Sequence, residues 1–262
     1  MKIDQTMFDN LTKISSKSGL PLRNLEKELQ LFGFIPKLFH LLEENRIPAA
    51  LYGGTALNKG FFKEKQRFSK DLDIDLPSRN FKNYCNKIDL LLQQLKEYRI
   101  EKTYLGEDAG VWNIWYGNKP WESLLIEARK QPIKDKAKKI ELHSILEFLG
   151  IPILPIYVPS YSLEHLLARK IIALSRRAIG KDIYDSYLGL KMNPDRNKIL
   201  ATIKKITKKD PKLALNEAIY WLDEVNLKSS DVTELQDTVP VSYREDMRSM
   251  INSLKYELKR FL

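Results

Sequence analysis

Cysteine is nearly absent: Cys85 stands alone in 262 residues, so the chain can form no internal disulfide, which suits a reducing cytoplasm. Long apolar runs are missing too, and no stretch reaches the roughly 18 residues that a membrane span needs. The opening "MKIDQTMFDN" carries two acids and no apolar core, unlike a signal peptide. Three histidines, His40, His143 and His165, show no spacing of the H-x-x-x-H kind, so none reads as a metal ligand. There is neither an internal repeat nor a low-complexity linker. What remains is a chain with 43% hydrophobic and 30% charged residues, soluble and globular in balance. It is long enough for one large domain or two small ones.

Acids are outnumbered, 34 against 44 Lys and Arg, for a net charge of +10. Such a surface either meets phosphate, in RNA, DNA or nucleotides, or serves solubility alone. The excess is local. "RKQPIKDKAKK" (129–139) and "NKILATIKKITKKDPK" (197–212) each hold six basic residues and one acid.

Periodicity divides the chain. "PLRNLEKELQLFGFIPKLFHLLEEN" (21–45) has helical apolar spacing, with Gly33 and Pro36 as points where it would kink or split. "IPAALY" (47–52) reads as a short strand ended by Gly53-Gly54, with "TALNKGFF" (55–62) opening a helix. "DLDIDL" (71–76) alternates as a strand, and 80–98 reads as helix. "RIEKTYL", "GVWNIWYG" and "WESLLIEA" are strands, with "GEDAG" turning between the first two. "IPILPIYVP" (151–159) reads as a buried apolar segment broken by prolines. Five helical segments follow Ser160. The expected fold class is α+β: a mixed front half and a helical back half.

The chemistry starts at "DLDIDL". Residues two apart on a strand share a face, so Asp71, Asp73 and Asp75 form a stripe of like charge. The stripe is either the wet side of an amphipathic strand or a seat for a hard divalent cation such as Mg²⁺. The Gly53-Gly54-Thr55 turn before it lets backbone approach a ligand and opens a helix whose N-terminus favours phosphate. Together the two features point to metal-assisted phosphoryl or nucleotidyl transfer. Further on, Leu163, Leu166, Leu167, Ile171 and Leu174 make one helical stripe, with Lys170 and Arg177 inside it and Arg169 and Arg176 outside. An inward lysine must snorkel out or meet an anion. Glu127 opposes the apolar Leu124, Ile126 and Ala128 on its strand. Asp182 and Asp185, one turn apart, either cap a helix start or join a site. Cys85 has no nucleophile context.

"YGGTAL" followed by "RFSKDLDIDL" resembles the first motif of the AbiEii/AbiGii-type toxin family, within the DNA polymerase β-like nucleotidyltransferase superfamily. The matching positions are Gly53, Gly54, Thr55, Arg67, Ser69, Asp71 and Asp73, with a longer interval between Thr55 and Asp71 than in the compact form of the motif. "LLIEARK" is similar to the strand that supplies a third acid, here Glu127. "LARKIIALSRRAIGKDIYDSY" is similar to a later motif and carries over Lys170, Arg177, Lys181, Asp182 and Asp185.

The resemblance implies a mixed-sheet nucleotidyltransferase core over residues 1–160 and a helical bundle over 161–262 closing the cleft. It implies Mg²⁺ held by Asp71 and Asp73, with Glu127 completing the metal site or acting as base. Gly53, Gly54 and Thr55 would cradle the phosphates of an NTP, and Lys170 would offset their charge. Arg67, Ser69, Arg177, Lys181, Asp182 and Asp185 would line the nucleotide site, and Asp75 would lie outside it, solvated or in an outer shell. The implied activity is transfer of a nucleoside monophosphate to an RNA, tRNA among the candidates, or to a protein. The implied role is that of a toxin or phage-defence factor, with room for an antitoxin partner. Two alternatives stay open: a non-catalytic nucleotide- or nucleic-acid-binding member of the fold, and a metal-dependent nuclease.

Overall fold

Asp4 caps the first helix, its carboxylate accepting from the Met7 amide, and Gly19 ends it in the left-handed region at φ 68°. This helix, α1 (Gln5–Ser18), lies outside the segments expected from sequence; of its apolar side chains Leu11 is buried. The computed structural model describes residues 3–132 and 135–262, apart from the side chain of Asp231. Ile133 and Lys134 of the first basic segment lie outside the described residues.

The chain divides into two units, Met1–Glu64 with Phe68–Tyr161, and Lys65–Arg67 with Ser162–Leu262. In the first unit α1 is followed by α2 (Leu22–Glu44), β1 (Ala50–Tyr52), α3 (Gly53–Phe61), β2 (Asp71–Leu76) and α4 (Phe81–Leu92). Then come β3 (Arg99–Leu105), β4 (Ala109–Trp115), β5 (Ser123–Lys130), β6 (Lys138–Leu142), α5 (Ile145–Phe148) and β7 (Ile156–Ser160). The strands form one mixed seven-stranded sheet in the order β3-β4-β5-β2-β1-β7-β6. β2 lies near the middle, antiparallel to β1 and parallel to β5. Its apolar Leu72, Ile74 and Leu76 are fully buried, as are Leu51, Trp112, Ile126 and Ala128 on the neighbouring strands. Period-2 alternation thus fixes which face of β2 carries the aspartates.

α2 is a single helix; it does not split at Gly33 or Pro36. An internal proline costs about 3 kcal/mol, whereas each buried Leu or Phe returns about 1.5–3 kcal/mol. Leu25, Leu29, Phe32, Ile35, Leu38 and Phe39 are all buried on this helix, so burial wins. Glu28, at an apolar phase between Leu25 and Phe32, meets Lys59 of α3 at 2.6 and 2.7 Å, with both side chains fully buried. The Ser144 hydroxyl, 2.9 Å away, also donates to Glu28. This network pins α3, and with it the turn that opens α3, onto α2.

Two expectations need correcting, and two further elements were not foreseen. The helix expected over 80–98 stops at Leu92. The 151–159 segment is not buried throughout: Leu154, before the sheet begins, is 86% exposed, and Tyr157 is 61% exposed on the open face of the strand β7. The lysine-rich start of β6 and the short α5 gave no signal, since β6 is an edge strand whose half-wet pattern lacks alternation.

The second unit is helical: α6 (Leu163–Leu174), α7 (Gly180–Lys191), α8 (Arg196–Thr207), α9 (Pro211–Asp223), α10 (Ser230–Thr233) and α11 (Met247–Lys259). Ser162, Asp195, Asp210 and Asp246 cap four of these by accepting from first-turn amides. α6 packs against α7, α8 and α9, burying Leu166, Leu167, Ile171 and Leu174 with Ile199, Ile203 and Leu215.

Candidate active site

β1 ends at Tyr52, and α3 starts at Gly53 with no side-chain cap and no acid in its first turn. Gly53 sits at φ +74°, in the region that favours glycine. A Cβ there would lie 2.0 Å from Asp73 Oδ2, so the missing side chain is the space that the Asp73 carboxylate occupies. Register explains the meeting, since Tyr52 pairs with Asp73 across the β1–β2 ladder. Gly53→Ala is therefore expected to destabilise the fold by about 2–3 kcal/mol, from positive-φ strain plus the clash. It should also displace Asp73 and abolish transfer, read by thermal unfolding and activity side by side.

Thr55 is fully buried and Ser69 nearly so. Thr55 Oγ1 lies 2.5 Å from the Asp71 carbonyl and 2.9 Å from Ser69 Oγ. A hydroxyl has one hydrogen and a carbonyl only accepts, so Thr55 donates to Asp71 and receives from Ser69. These two residues of the motif tie the start of β2 to the first turn of α3. The Thr55 hydroxyl is committed to the chain rather than offered to a phosphate.

Asp71 and Asp73 are half-buried on one face of β2, and on the parallel neighbour Glu127 pairs in register with Asp73. Glu127 is turned to Arg129, which shares its face two residues on and forms an ion pair with it. Burial opposes the Arg129 charge, and Glu127, Tyr52 and Asp73 outweigh it, raising its pKa above the ordinary value. Asp75, expected to be wet or peripheral, is 2% exposed and accepts from the Tyr161 hydroxyl at 2.9 Å. The stripe thus runs inward rather than outward.

Among the described residues no three His, Cys, Asp or Glu side chains converge as a ready-made metal cage. The expected trio of Asp71, Asp73 and Glu127 is not preformed as such a cage: Arg129 holds one oxygen of the Glu127 carboxylate. Asp71 and Asp73 still fit a hard divalent cation. Mg²⁺ takes one or two carboxylates and fills its shell with substrate phosphate and water, and the Gly53 gap leaves the Asp73 carboxylate room at the turn.

The later motif is a buried charge cluster inside the second unit. Arg67 grips Asp185 through two bonds, Nε to Oδ1 at 2.9 Å and Nη2 to Oδ2 at 2.8 Å. Lys170 Nζ lies 2.8 Å from Asp182 Oδ1 and 2.7 Å from Asp185 Oδ2. All four residues are buried. The inward lysine has met an anion, and the anion belongs to the chain itself. Burial would raise the Asp185 pKa, but the Arg67 and Lys170 charges overcome it and hold it at about 2. Burial likewise opposes the Lys170 charge, yet Asp185 and Asp182 raise its pKa. The Tyr184 hydroxyl donates to the Lys65 carbonyl at 2.6 Å, so residues 65–67 are held by α7 at two points.

Arg177 does not continue the α6 stripe, because the helix ends at Leu174; its side chain is 63% exposed, 3.8 Å from Asp182. Lys181 is exposed beside the cluster. Cys85 is buried, and burial pushes its thiol up to about 12, which leaves no thiolate at neutral pH. Arg129 was missed as a site residue; its i, i+2 spacing from Glu127 on a strand was the available signal.

A mixed sheet with two carboxylates on a central strand, beside a Gly-Gly turn that opens a helix, defines a nucleotidyltransferase-type site. The sequence matches the family described as "Nucleotidyl transferase AbiEii toxin, Type IV TA system" over residues 38–261, and the chain belongs to that family. It is a nucleotidyltransferase. No curated protein matches it in sequence. Among solved structures it is similar to MenT4, a nucleotidyltransferase toxin from Mycobacterium tuberculosis H37Rv, with TM-score 0.60 and 14% identity over 96% of this chain and 89% of that one. It is also similar to a protein from H. pylori assigned as a nucleotidyltransferase, with TM-score 0.52 and 15% identity over 90% of this chain and 95% of that one. At these identities the likeness speaks for the fold. Among the described residues no helix is long and apolar enough to cross a membrane.

Proposed function

We propose that this enzyme transfers a nucleoside monophosphate from an NTP to an RNA acceptor, with Mg²⁺ as its metal, and blocks growth or phage propagation by doing so. The observation that carries the reading is the Asp71–Asp73 pair on β2, with Asp73 at the Gly53 turn and Glu127 in register beside it. Asp71 and Asp73 would hold Mg²⁺, which when bound neutralises charge on the phosphate oxygens. The first-turn amides of α3, at Gly53 and Gly54, receive no bond from the side chain of the capping Tyr52 and would meet the phosphates. The acceptor oxygen attacks the α-phosphorus, the bond from that phosphorus to the bridging oxygen breaks, and pyrophosphate leaves with the electron pair. Glu127 would take the proton that the acceptor hydroxyl loses on the carboxylate oxygen that its ion pair with Arg129 does not engage. Ser69 and Thr55 keep β2 and α3 in register, while Arg67, Lys170, Asp182 and Asp185 hold the helical unit to residues 65–67. Arg177 and Lys181 contribute charge at its surface. An antitoxin is the protein partner expected of such a toxin.

Radiolabelled NTP with total RNA, with and without Mg²⁺, tests this reading. Label on RNA, dependent on Mg²⁺, is the expected result. Label on protein would move the acceptor, nucleotide binding without turnover would favour a non-catalytic member, and RNA shortening would favour a nuclease.

The RNA acceptor makes a second prediction. Lys204, Lys205, Lys208 and Lys209 are exposed on and just beyond the last turn of α8. RNA affinity should fall steeply with salt, and reversing Lys204, Lys208 and Lys209 to glutamate should reduce the log–log slope by about 0.7–0.9 for each phosphate no longer neutralised. A salt-indifferent binding curve would return the +10 charge to solubility.

A further inference from the structure

Three cations near the start of β2 have no role in the site so far: Lys27, which Asp71 attracts, and Arg23 and Lys70, which crowd Lys27. Arg23 and Lys27 lie one turn apart on the first turns of α2 and therefore share a face. Lys70 immediately precedes Asp71 at the start of β2. α2 packs on the sheet across β5 and β7. The neighbours of Glu26 are Lys119 and Glu122, in the turn leading into β5. Since Leu125 of β5 pairs with Asp71, the start of α2 stands at the end of the sheet where β2 begins. Tyr52 and the Gly53 turn are at that same end, through the pairing of Tyr52 with Asp73.

The charges there are arranged at a cost. Burial, then Lys70 and Arg23, lower the pKa of the half-buried Lys27, while Asp71 pulls it upward. Lys27 thus has two cations and one carboxylate acting on it. A helix N-terminus ordinarily carries acids, which its dipole favours, yet the first turn of α2 has none, its Pro21 cap makes no side-chain bond, and Arg23 stands in that turn. An arrangement that repels itself in this way becomes favourable when a polyanion lies across it.

We propose that Arg23, Lys27 and Lys70 seat the β- and γ-phosphates of the nucleotide beside Asp71, a reading that rests on the nucleotidyl transfer proposed above. Asp71 would hold the metal, and the three cations take the end that departs as pyrophosphate. The electron pair of the broken bond goes to the leaving oxygen, and these cations offset that charge. The site selects triphosphates over monophosphates, since a monophosphate has nothing to lay across it.

The test uses the full chain with Mg²⁺ and inorganic tripolyphosphate as probe. Wild type should bind tripolyphosphate, Lys27→Gln should weaken binding about tenfold, and Arg23→Gln with Lys27→Gln about a hundredfold. Binding of a nucleoside monophosphate should change less than twofold, and KM for NTP should rise with the tripolyphosphate constant. Lys70→Gln, at an exposed position, gives about a tenfold loss and covers the case in which the α2 double variant fails to fold. If wild type ignores tripolyphosphate, or the variants bind it within twofold of wild type, the inference falls even where Asp73→Asn abolishes transfer. If instead tripolyphosphate binding depends on these cations but Asp73→Asn keeps full transfer, the cation site stands and the proposed catalytic role of the carboxylates fails.

Discussion

Asp73→Asn should reduce nucleotidyl transfer at least about a thousandfold, equivalent to about 4 kcal/mol of transition-state stabilisation. Asp71→Asn should do the same. The same two variants should lose the rise in thermal midpoint that Mg²⁺ gives wild type. A ligand bound only by the folded state adds about 2.7 kcal/mol at a hundred times its dissociation constant. Without metal each variant should stay within about 1 kcal/mol of wild type, because the like-charge repulsion it relieves on the strand face offsets the attraction it loses, to Lys27 for Asp71 and to Arg129 for Asp73. Asp75→Asn separates the roles. Its side chain is buried against the Tyr161 hydroxyl, so the amide should cost about 1 kcal/mol of stability and leave the Mg²⁺ response intact. Loss of the response in Asp75→Asn but not in Asp71→Asn would shift the metal two residues along β2. A response kept by all three would leave the stripe without a metal role.

Arg67→Met should destabilise the helical unit by about 3–5 kcal/mol, because it strips the bidentate partner from a fully buried Asp185. For a unit of about a hundred residues this lowers the melting midpoint by more than about 12 °C. Calorimetry checks it, and a loss below about 1 kcal/mol would mean that the cluster does not hold residues 65–67. The same carboxylate predicts an acid limb. Asp185 titrates at about 2 in the fold against an ordinary 3.8, so its contribution is complete above about pH 4 and drains away as pH falls through 2. That shift corresponds to about 2 kcal/mol. Lys170 works in the other direction: its raised pKa gives stability that is complete below the ordinary 10.5 and lost only as pH climbs past the raised value. Stability between pH 2 and 4 should therefore fall more steeply in wild type than in Asp185→Asn.

By itself the sequence determined whatever depends on short spacing. Period-2 alternation put Asp71, Asp73 and Asp75 on one strand face, and the helical period put Lys170 on an inward face, since both follow from local backbone geometry. The Gly-Gly turn was legible because positive φ has a preferred residue. Tertiary structure alone decided which partner each charge meets. Lys170 finds two carboxylates twelve and fifteen positions on, Glu127 finds Arg129 rather than a waiting cation, and Asp75 ends buried under Tyr161. The RFSKDLD motif, continuous in sequence, divides so that Arg67 belongs to the helical unit and Ser69, Asp71 and Asp73 to the sheet. No local period encodes such pairings. A buried charge is neutralised by whichever opposite charge the packing of distant apolar faces brings within hydrogen-bond reach, and that packing is set by the whole chain.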